Sequence, residues 1–441
     1  MMQVSLHDIL DAREARVRKQ QFLLTEFRAP LLCFTMNIAG PVKVTPLIRR
    51  GFEVGLEILE RRLPEFLYRD IQVLPTGCEA FFSVAMPARK LKALCTDIEE
   101  NHPLGRLFDM DVLDVQGAKL ERECQRSCLV CGKPGRGCAA SRAHSVEQLQ
   151  AVTRQLLEAY FSLADRKQIA DFACESLLDE VNTTPKPGLV DRRNNGSHKD
   201  MALRHFYDSV SALMPYFEEC VKLGQETSNQ LPESTFPLLR QAGLSAEQAM
   251  YHATGGINTH KGAIYTLGIL CGSIGRLWSP EKPIADIPAI LSECIKVAQA
   301  SARQDLSMAD GSTAGQRAYL HYGIGGIREE VAAGLPSVAL VSLPAYMQGL
   351  KDGLSPNDAG AIALLHLIAK VQDTNLYHRG GIDGAQWAAK AAQALLPCPT
   401  TQQIEALDDA FIHKNLSPGG CADLLAVTYF LHRLQITEQK A

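Results

Sequence analysis

Two aspartates separated by one residue, in Leu107-Phe108-Asp109-Met110-Asp111-Val112, form the first pattern that suits chemistry. On a strand, alternate side chains share a face, so Asp109 and Asp111 point one way while Phe108, Met110 and Val112 point the other. Adjacent carboxylates on one face repel each other and call for a counter-charge. Mg²⁺, which takes oxygen ligands, is the natural one and could bridge phosphate oxygens while a phosphoryl bond breaks. By itself the spacing also fits two solvated acids on an open sheet face. Asp114 falls on the opposite face by the same period and is left out.

Beyond this strand the segment 119–142 carries Lys119, Arg122, Arg126, Lys133, Arg136 and Arg142 against Glu121 and Glu123. The excess of positive charge suits either a polyphosphate or an acidic partner protein, or else a solvated loop. Cys128, Cys131, Cys138 and His144 lie in the same segment with a C-x₂-C-x₆-C-x₅-H spacing. That spacing supplies the four ligands of a structural zinc tetrahedron. Free thiols and a phosphate-facing histidine are the alternative reading, and both stay open.

The later part of the chain holds polar clusters that a plain helical bundle does not need. Glu180-Val181-Asn182-Thr183-Thr184-Pro185-Lys186-Pro187-Gly188 ends a helical pattern, its prolines stiffening a turn around Lys186, and Asp191, His198 and Asp200 follow. Gly255-Gly256-Ile257-Asn258-Thr259-His260-Lys261 opens a strongly apolar helix. Outward-pointing N–H groups at such a start make an anion site, with Asn258 and Thr259 as caps and Lys261 as a point charge. Asp373-Thr374-Asn375 and Ser417-Pro418-Gly419-Gly420 with Asp423 add a cap and a second candidate phosphate seat. The spacing of a P-loop is absent. Each cluster alone is explained by helix capping; four together, each with an acid, amide or cation, suggest helix ends converging on one pocket.

The elements that must hold these residues change in texture along the chain. Up to about residue 145, strand and helix patterns alternate. Ser5 with Asp8 signals a first helix cap. Residues 30–40 read as a buried strand. Thr45-Pro46 opens a helix with Ile48, Phe52, Leu56, Leu59 and Leu63 on one face, and residues 71–86 read as a hairpin or a broken strand around Thr76-Gly77. A third helix and the aspartate strand follow, as in βαβ-type units of a small α/β domain. From about residue 146 the pattern is helical, as one long helix or as two broken near Leu163–Arg166. The segments beyond, rich in Ala, Leu and Gly, predict an all-α domain.

Composition sets the outer bounds. The chain has 441 residues, enough for two or three domains. Hydrophobic residues make up 46% and charged residues 21%, which excludes a mostly disordered chain. A formal net charge of −4 argues against a nucleic-acid binder, and no apolar run is long enough to span a membrane. The first residues read as an amphipathic helix without a signal-peptide core, so the expected location is the cytoplasm. Thirteen cysteines, an odd number, argue against a disulfide framework. Cys33, Cys95, Cys220 and Cys271 sit among apolar neighbours as small core residues. His252, His321 and His366 read as packing or surface residues.

The ordered motifs HPLGRLFDMDVLDV (102–115), RSCLVC (126–131) and SRAHS (141–145) resemble the citrate lyase holo-acyl-carrier-protein synthase family of phosphoribosyl-dephospho-CoA transferases, over about residues 5–160. PKPGLVD, NNGSHKDM, GGINTHKGAIYTLG, DTN and SPGGCADLLA resemble the triphosphoribosyl-dephospho-CoA synthase family, over about 165–435. One departure is Gly325-Gly326-Ile327-Arg328-Glu329-Glu330, where a Gly-Ala-Arg-Gly-Glu type loop is expected. The resemblances imply a fusion, with a transferase domain at 1–160 and an all-helical synthase domain at 161–441. The second joins ATP to dephospho-CoA with loss of adenine. The first passes the product to a Ser of the apo acyl carrier protein, the gamma subunit of citrate lyase, with loss of pyrophosphate.

In that reading Asp109 and Asp111 hold Mg²⁺ in the first domain. Arg106, Arg126 and Arg142 meet phosphate. In the second, Asp191 or Asp200 stabilises oxocarbenium character at the ribose C1′ and His198 or His260 protonates adenine. Asp373 and Asn375 are the metal candidates there. Lys186, Asn258, Thr259, Lys261, Ser417 and Gly419 are the phosphate candidates. Three other readings remain: the same pair of activities serving a malonate-decarboxylase-type carrier, a nucleoside N-glycosidic hydrolase, and a non-enzymatic zinc adaptor on a helical scaffold.

Overall fold

A computed structural model describes residues 2–440 apart from 123–124, and leaves aside the side chains of residues 136, 139, 314, 439 and 440. Glu123 and the side chain of Arg136, both in the expected basic segment, lie outside the described residues. The chain divides into two compact units, residues 1–164 and 165–441.

In the first unit, Ser5 and Asp8 form the reciprocal cap that starts α1 (Leu6–Phe27). Thr45 accepts the Ile48 N–H at 3.1 Å and Pro46 takes the first position of α2 (Pro46–Arg62). Four strands follow the alternating patterns: β1 (Leu31–Met36), β2 (Phe66–Leu74), β3 (Gly77–Val84) and β4 (Phe108–Leu113). β2 and β3 form the hairpin, and α3 (Ala88–Asn101) leads towards β4. The sheet order is β2-β3-β1-β4 with every neighbouring pair antiparallel. The two β-α-β crossovers therefore join parallel strands with one antiparallel strand inserted between them, the split form of the unit. Local patterns predict the elements but not that insertion, which depends on long-range pairing.

One sheet face carries Phe34, Phe82, Phe108, Met110 and Val112, all fully buried. Phe34 stacks on Phe52 of α2 at 4.8 Å and meets the edge of Phe108 at 5.4 Å. Gly55 permits this approach, since a Cβ there would sit 2.3 Å from the Phe34 ring. The opposite face holds Asp109 and Asp111 and is partly covered by α1, through Leu23 and Leu24 against Leu31, Cys33 and Phe81.

Beyond α4 (Gly135–Ser141), the helical run from residue 146 is one helix, α5 (Val146–Asn182). Leu163–Arg166 contains neither Gly nor Pro, so nothing breaks it. Residues of α5 up to 164 belong to the first unit and the rest to the second.

The second unit continues with α6 (Leu203–Thr227), α7 (Thr235–Ala253), α8 (Lys261–Leu277), α9 (Ile287–Ser307) and α10 (Ala314–Tyr322). α11 (Gly326–Ala332), α12 (Leu343–Lys351), α13 (Pro356–Lys370), α14 (Thr374–Leu395), α15 (Thr401–His413) and α16 (Gly419–Lys440) complete it. α8 is apolar all round and is buried along nearly its whole length, as a central core helix must be. The chain is thus a small α/β unit followed by a mainly helical one. No helix among the described residues is long and apolar enough to cross a membrane.

Candidate functional site

In the first unit, β4 is an edge strand whose residues alternate between buried and half-buried, so Asp109 and Asp111 share the open face. Lys119 Nζ lies 2.6 Å from Asp111 Oδ2, and Arg126 Nη1 lies 3.9 Å from Asp109 Oδ1. Burial, and then the neighbouring Asp111 charge, pushes the Asp109 carboxyl above its ordinary value. A divalent cation on this face, beside Lys119 and Arg126, would favour the ionised carboxylates, and the two-carboxylate donor set fits Mg²⁺.

Arg126 is itself well anchored. It donates to Phe108 O at 2.5 Å and pairs with buried Glu99, which also accepts the Met110 N–H at 2.8 Å. Arg106 donates to the Ser127 carbonyl. Arg142 is exposed, in the left-handed region at the end of α4. Strand pairing carries the same face across Thr35 to Glu79, a buried acid paired with Arg16 of α1. Glu99, Glu79 and Arg16 were not singled out from sequence. The Glu99–Arg126 and Glu79–Arg16 pairs span 27 and 63 residues, beyond any local pattern.

The second unit encloses a cavity of about 1460 Å³. Lys186, His198 and Asp200 line it from the turn after α5, and Asn258, Thr259, His260 and Lys261 from the start of α8. Asp373 and Asn375 at the start of α14, and Ser417 and Gly419 at the start of α16, complete the wall. Asp191 does not line the cavity. Its carboxylate accepts from Thr184 Oγ1 and the N–H groups of Lys186, Arg193 and Asn194, at 2.7–3.1 Å. It organises the turn, and Asp200, exposed at the cavity, is left as the carboxylate of that pair.

The two helix starts expected to seat phosphate already hold a carboxylate. Asp373 Oδ2 accepts the Cys421 N–H of α16 at 2.8 Å, while its other oxygen caps α14. Asp423 accepts the Ala263 N–H of α8, and Gly262 has no side chain because a Cβ would lie 1.9 Å from Asp423 Oδ2. Lys186 is buried with its ammonium 2.5 Å from Glu180, and Lys261 pairs with Glu247 at 2.7 Å. Asp373 and Asp423 meet these helix starts from distant parts of the chain, so the capping signals could not reveal them, whereas Glu180 is local to Lys186.

Burial is the first cause pushing Glu180, Asp373 and Asp423 above the ordinary carboxylate range; Asp423 also feels the other two. Burial pushes His198 down to about 4, helped by Arg379, and His260 down to about 3, helped by Lys186. Both imidazoles are therefore neutral at pH 7. Four buried polar atoms lining the cavity have no hydrogen-bond partner: Thr259 Oγ1, His260 Nε2, Tyr265 OH and Arg328 Nε. Such orphans are rare in a finished core and point to a polar ligand. Tyr265 and Arg379 were not predicted as site residues; Glu180, Asp423 and Arg328 stood inside the quoted segments without an assigned role. Cys33, Cys95, Cys220 and Cys271 are buried, as expected.

Comparison with known proteins makes each of the two units a transferase. Residues 166–440 match the family model described as ATP:dephospho-CoA triphosphoribosyl transferase, and residues 4–160 match that of apo-citrate lyase phosphoribosyl-dephospho-CoA transferase. The chain is 36% identical to the protein CitXG of Haemophilus influenzae, covering 97% of this chain and 96% of that one. It is 31% identical to the CitXG of Leuconostoc mesenteroides subsp. cremoris, with 98% and 97% covered. A Vibrio cholerae protein named "Probable 2-(5''-triphosphoribosyl)-3'-dephosphocoenzyme-A synthase" is 39% identical, over 60% of this chain and 88% of its own. The chain belongs to the ATP:dephospho-CoA triphosphoribosyl transferase family, in the form fused behind an apo-citrate lyase transferase domain that CitXG proteins represent.

Proposed function

We propose that this chain makes 2'-(5''-triphosphoribosyl)-3'-dephospho-CoA from ATP and dephospho-CoA and then transfers the phosphoribosyl-dephospho-CoA group to a Ser of the citrate lyase acyl carrier protein. The observation that carries the reading is the presence of both family matches in one chain, the product of one family's reaction being the substrate of the other's. We assign residues 161–441 to the first reaction and 1–160 to the second.

In the synthase reaction the dephospho-CoA 2′-hydroxyl attacks C1′ of the ATP ribose as the bond to adenine breaks. The hydroxyl proton is lost and adenine leaves with one gained. Asp200, at the cavity and on the side of His198, is the carboxylate for oxocarbenium charge. The neutral imidazoles of His198 and His260 are unsuited to donate a proton as imidazolium, and they serve as hydrogen-bonding groups for ribose or adenine. Asp423, whose carboxyl burial pushes well above its ordinary range, is the better donor to departing adenine. Arg328, Arg379 and Lys261 meet the triphosphate. Asp373 does not fit the metal role expected of it, because its oxygens are taken by the N–H groups of Asn375, Leu376 and Cys421, so no step is routed through a metal there.

In the transfer reaction the carrier Ser hydroxyl attacks the α-phosphate and pyrophosphate leaves. Asp109 and Asp111 fit Mg²⁺ there, which lowers the charge of the triphosphate when bound. Arg126, Lys119 and Arg106 hold its oxygens in position. Arg142 stays a candidate from the same segment.

The test incubates the chain with ATP, dephospho-CoA, Mg²⁺ and apo carrier protein, follows adenine, and weighs the carrier. Adenine release that requires dephospho-CoA, with a carrier gain equal to one phosphoribosyl-dephospho-CoA, is the expected result. Adenine with free ribose triphosphate in the absence of dephospho-CoA means a hydrolase. A modified malonate-decarboxylase carrier beside an unmodified citrate lyase carrier means the other carrier branch.

A further inference from the structure

The segment between β4 and α5 is poor in the usual source of order. Among the described residues, no hydrophobic residue between Val112 and Leu157 is buried. Yet its backbone folds back on itself. Ser127 bridges to Pro134, Gly132 N–H donates to Cys128 O at 3.0 Å, and Gly135 N–H to Arg126 O at 2.8 Å. A loop with no apolar core of its own needs another tie.

That tie is present in the side chains. One ligand atom each from Cys128, Cys131, Cys138 and His144 all lie within 4.8 Å of one another. The Cys131 and Cys138 sulfurs are 3.4 Å apart. Tetrahedral zinc with Zn–S bonds of about 2.3 Å sets its sulfurs about 3.7 Å apart. Closing the cluster therefore takes movements on the order of 1 Å. His144 Nε2 is buried without a hydrogen-bond partner. These contacts come from two separate pieces of backbone, the 128–131 turn and the end of α4, so a bound ion would pin one to the other.

We propose that Cys128, Cys131, Cys138 and His144 bind one structural zinc ion, which fixes the loop carrying Arg126 beside Asp109. Arg126 precedes the first ligand by two residues, and Arg106 holds the intervening Ser127 carbonyl. The zinc thus acts on the transfer site through a positioning residue. That consequence rests on the proposed transferase role of the first unit; metal binding itself does not.

The test measures zinc in the full-length chain after dialysis, and repeats it on Cys131→Ser/Cys138→Ser. About one zinc per chain, falling at least tenfold in the variant, is expected. Cobalt substitution should give thiolate-to-cobalt charge transfer and tetrahedral d–d bands. The variant should lose at least tenfold in carrier modification while adenine release is unchanged, which also reports that the second unit is folded. A metal-free wild-type chain with a Cys131–Cys138 disulfide, or with all its thiols free, overturns the proposal. So does zinc that persists undiminished in the variant. Zinc bound as expected with carrier modification unaffected by its loss would overturn the positioning role alone.

Discussion

His198 Nε2 lies 2.8 Å from Ser417 Oγ, a contact between residues 219 apart in the chain. On its other side, His198 Nδ1 lies 3.3 Å from Arg379 Nη2, and Arg379 donates to Ser197 O at 2.8 Å. The turn after α5 is thereby tied to the starts of α14 and α16 at one wall of the cavity. Because burial and Arg379 keep the ring neutral, its job is to give and take hydrogen bonds, not to carry charge.

His198→Ala is expected to reduce adenine release about 100-fold, within the range for removing a group that orients or transfers a proton at the reacting centre. His198→Gln, which keeps a donor and an acceptor, should recover part of that loss. Carrier modification from pre-made triphosphoribosyl-dephospho-CoA should stay at the level of the unaltered chain. Steady-state assays of each half-reaction check this.

The same two histidines set an acid limit on stability. His198 and His260 fall to about 4 and about 3 in the folded chain, against about 6.5 for a free imidazole. The unfolded chain then binds more protons between those values, so stability rises with pH across that window. The contribution is fully present above about pH 6.5 and is lost as pH falls towards 4 and then 3. Thermal unfolding should show the second unit's melting temperature dropping across that interval. His260→Asn should flatten the drop.

At the first site, Asp109→Asn and Asp111→Asn are expected to lower carrier modification by about 100-fold or more, with adenine release unchanged. The carboxylate form of Asp109 is the one that pairs with a cation, and burial with Asp111 raises its pKa. Transfer activity should therefore fall off on acidification at a higher pH than an ordinary carboxylate would give. A pH profile of carrier modification measures this. Full transfer activity in either variant would remove these aspartates from the reaction.

Some of this arrangement was legible in the sequence because it is local. The period of a strand puts Asp109 and Asp111 on one face, and the Ser5–Asp8 and Thr45–Pro46 signals start the helices they predict. Segments 186–200, 258–261, 373–375 and 417–419 share one cavity, as their mix of acids, amides and cations suggested. What escaped depends on distant partners. No local rule places β3 between β1 and β2, or sets Asp423 against the start of α8 and Asp373 against the start of α16. Asp191 illustrates the converse. Its type and place suited catalysis, yet four donors nearby in the chain have claimed its oxygens.

Arg276 shows how the cavity's supporting frame is held. It is buried, its Nε lies 2.7 Å from Glu293, and it donates to Gln230 O at 2.9 Å and Thr235 Oγ1 at 2.9 Å. α8 is thereby clamped to α9 and to the turn before α7. Arg276→Met would leave the largely buried Glu293 carboxylate with only the exposed Lys296 as partner. A loss of about 3 kcal/mol in unfolding free energy is expected, measured by denaturant titration.

Gly262 offers the sharpest test of Asp423. A methyl group at this position would overlap Asp423 Oδ2, and Asp423 is fixed by the Ala263 N–H just beyond. Gly262→Ala must push the carboxyl off the start of α8, freeing an amide and moving the proposed proton donor. Helix propensity alone would make the substitution favourable, since Ala is better than Gly inside a helix by about 1 kcal/mol. The two effects separate in the readout. Adenine release should fall at least tenfold, while the melting temperature changes little and carrier modification from pre-made substrate is retained. Asp423→Asn, which keeps the size but cannot supply the proton in the same way, should produce a comparable loss of adenine release. If both variants turned over ATP and dephospho-CoA at the normal rate, proton donation to adenine would have to come from another group in the cavity.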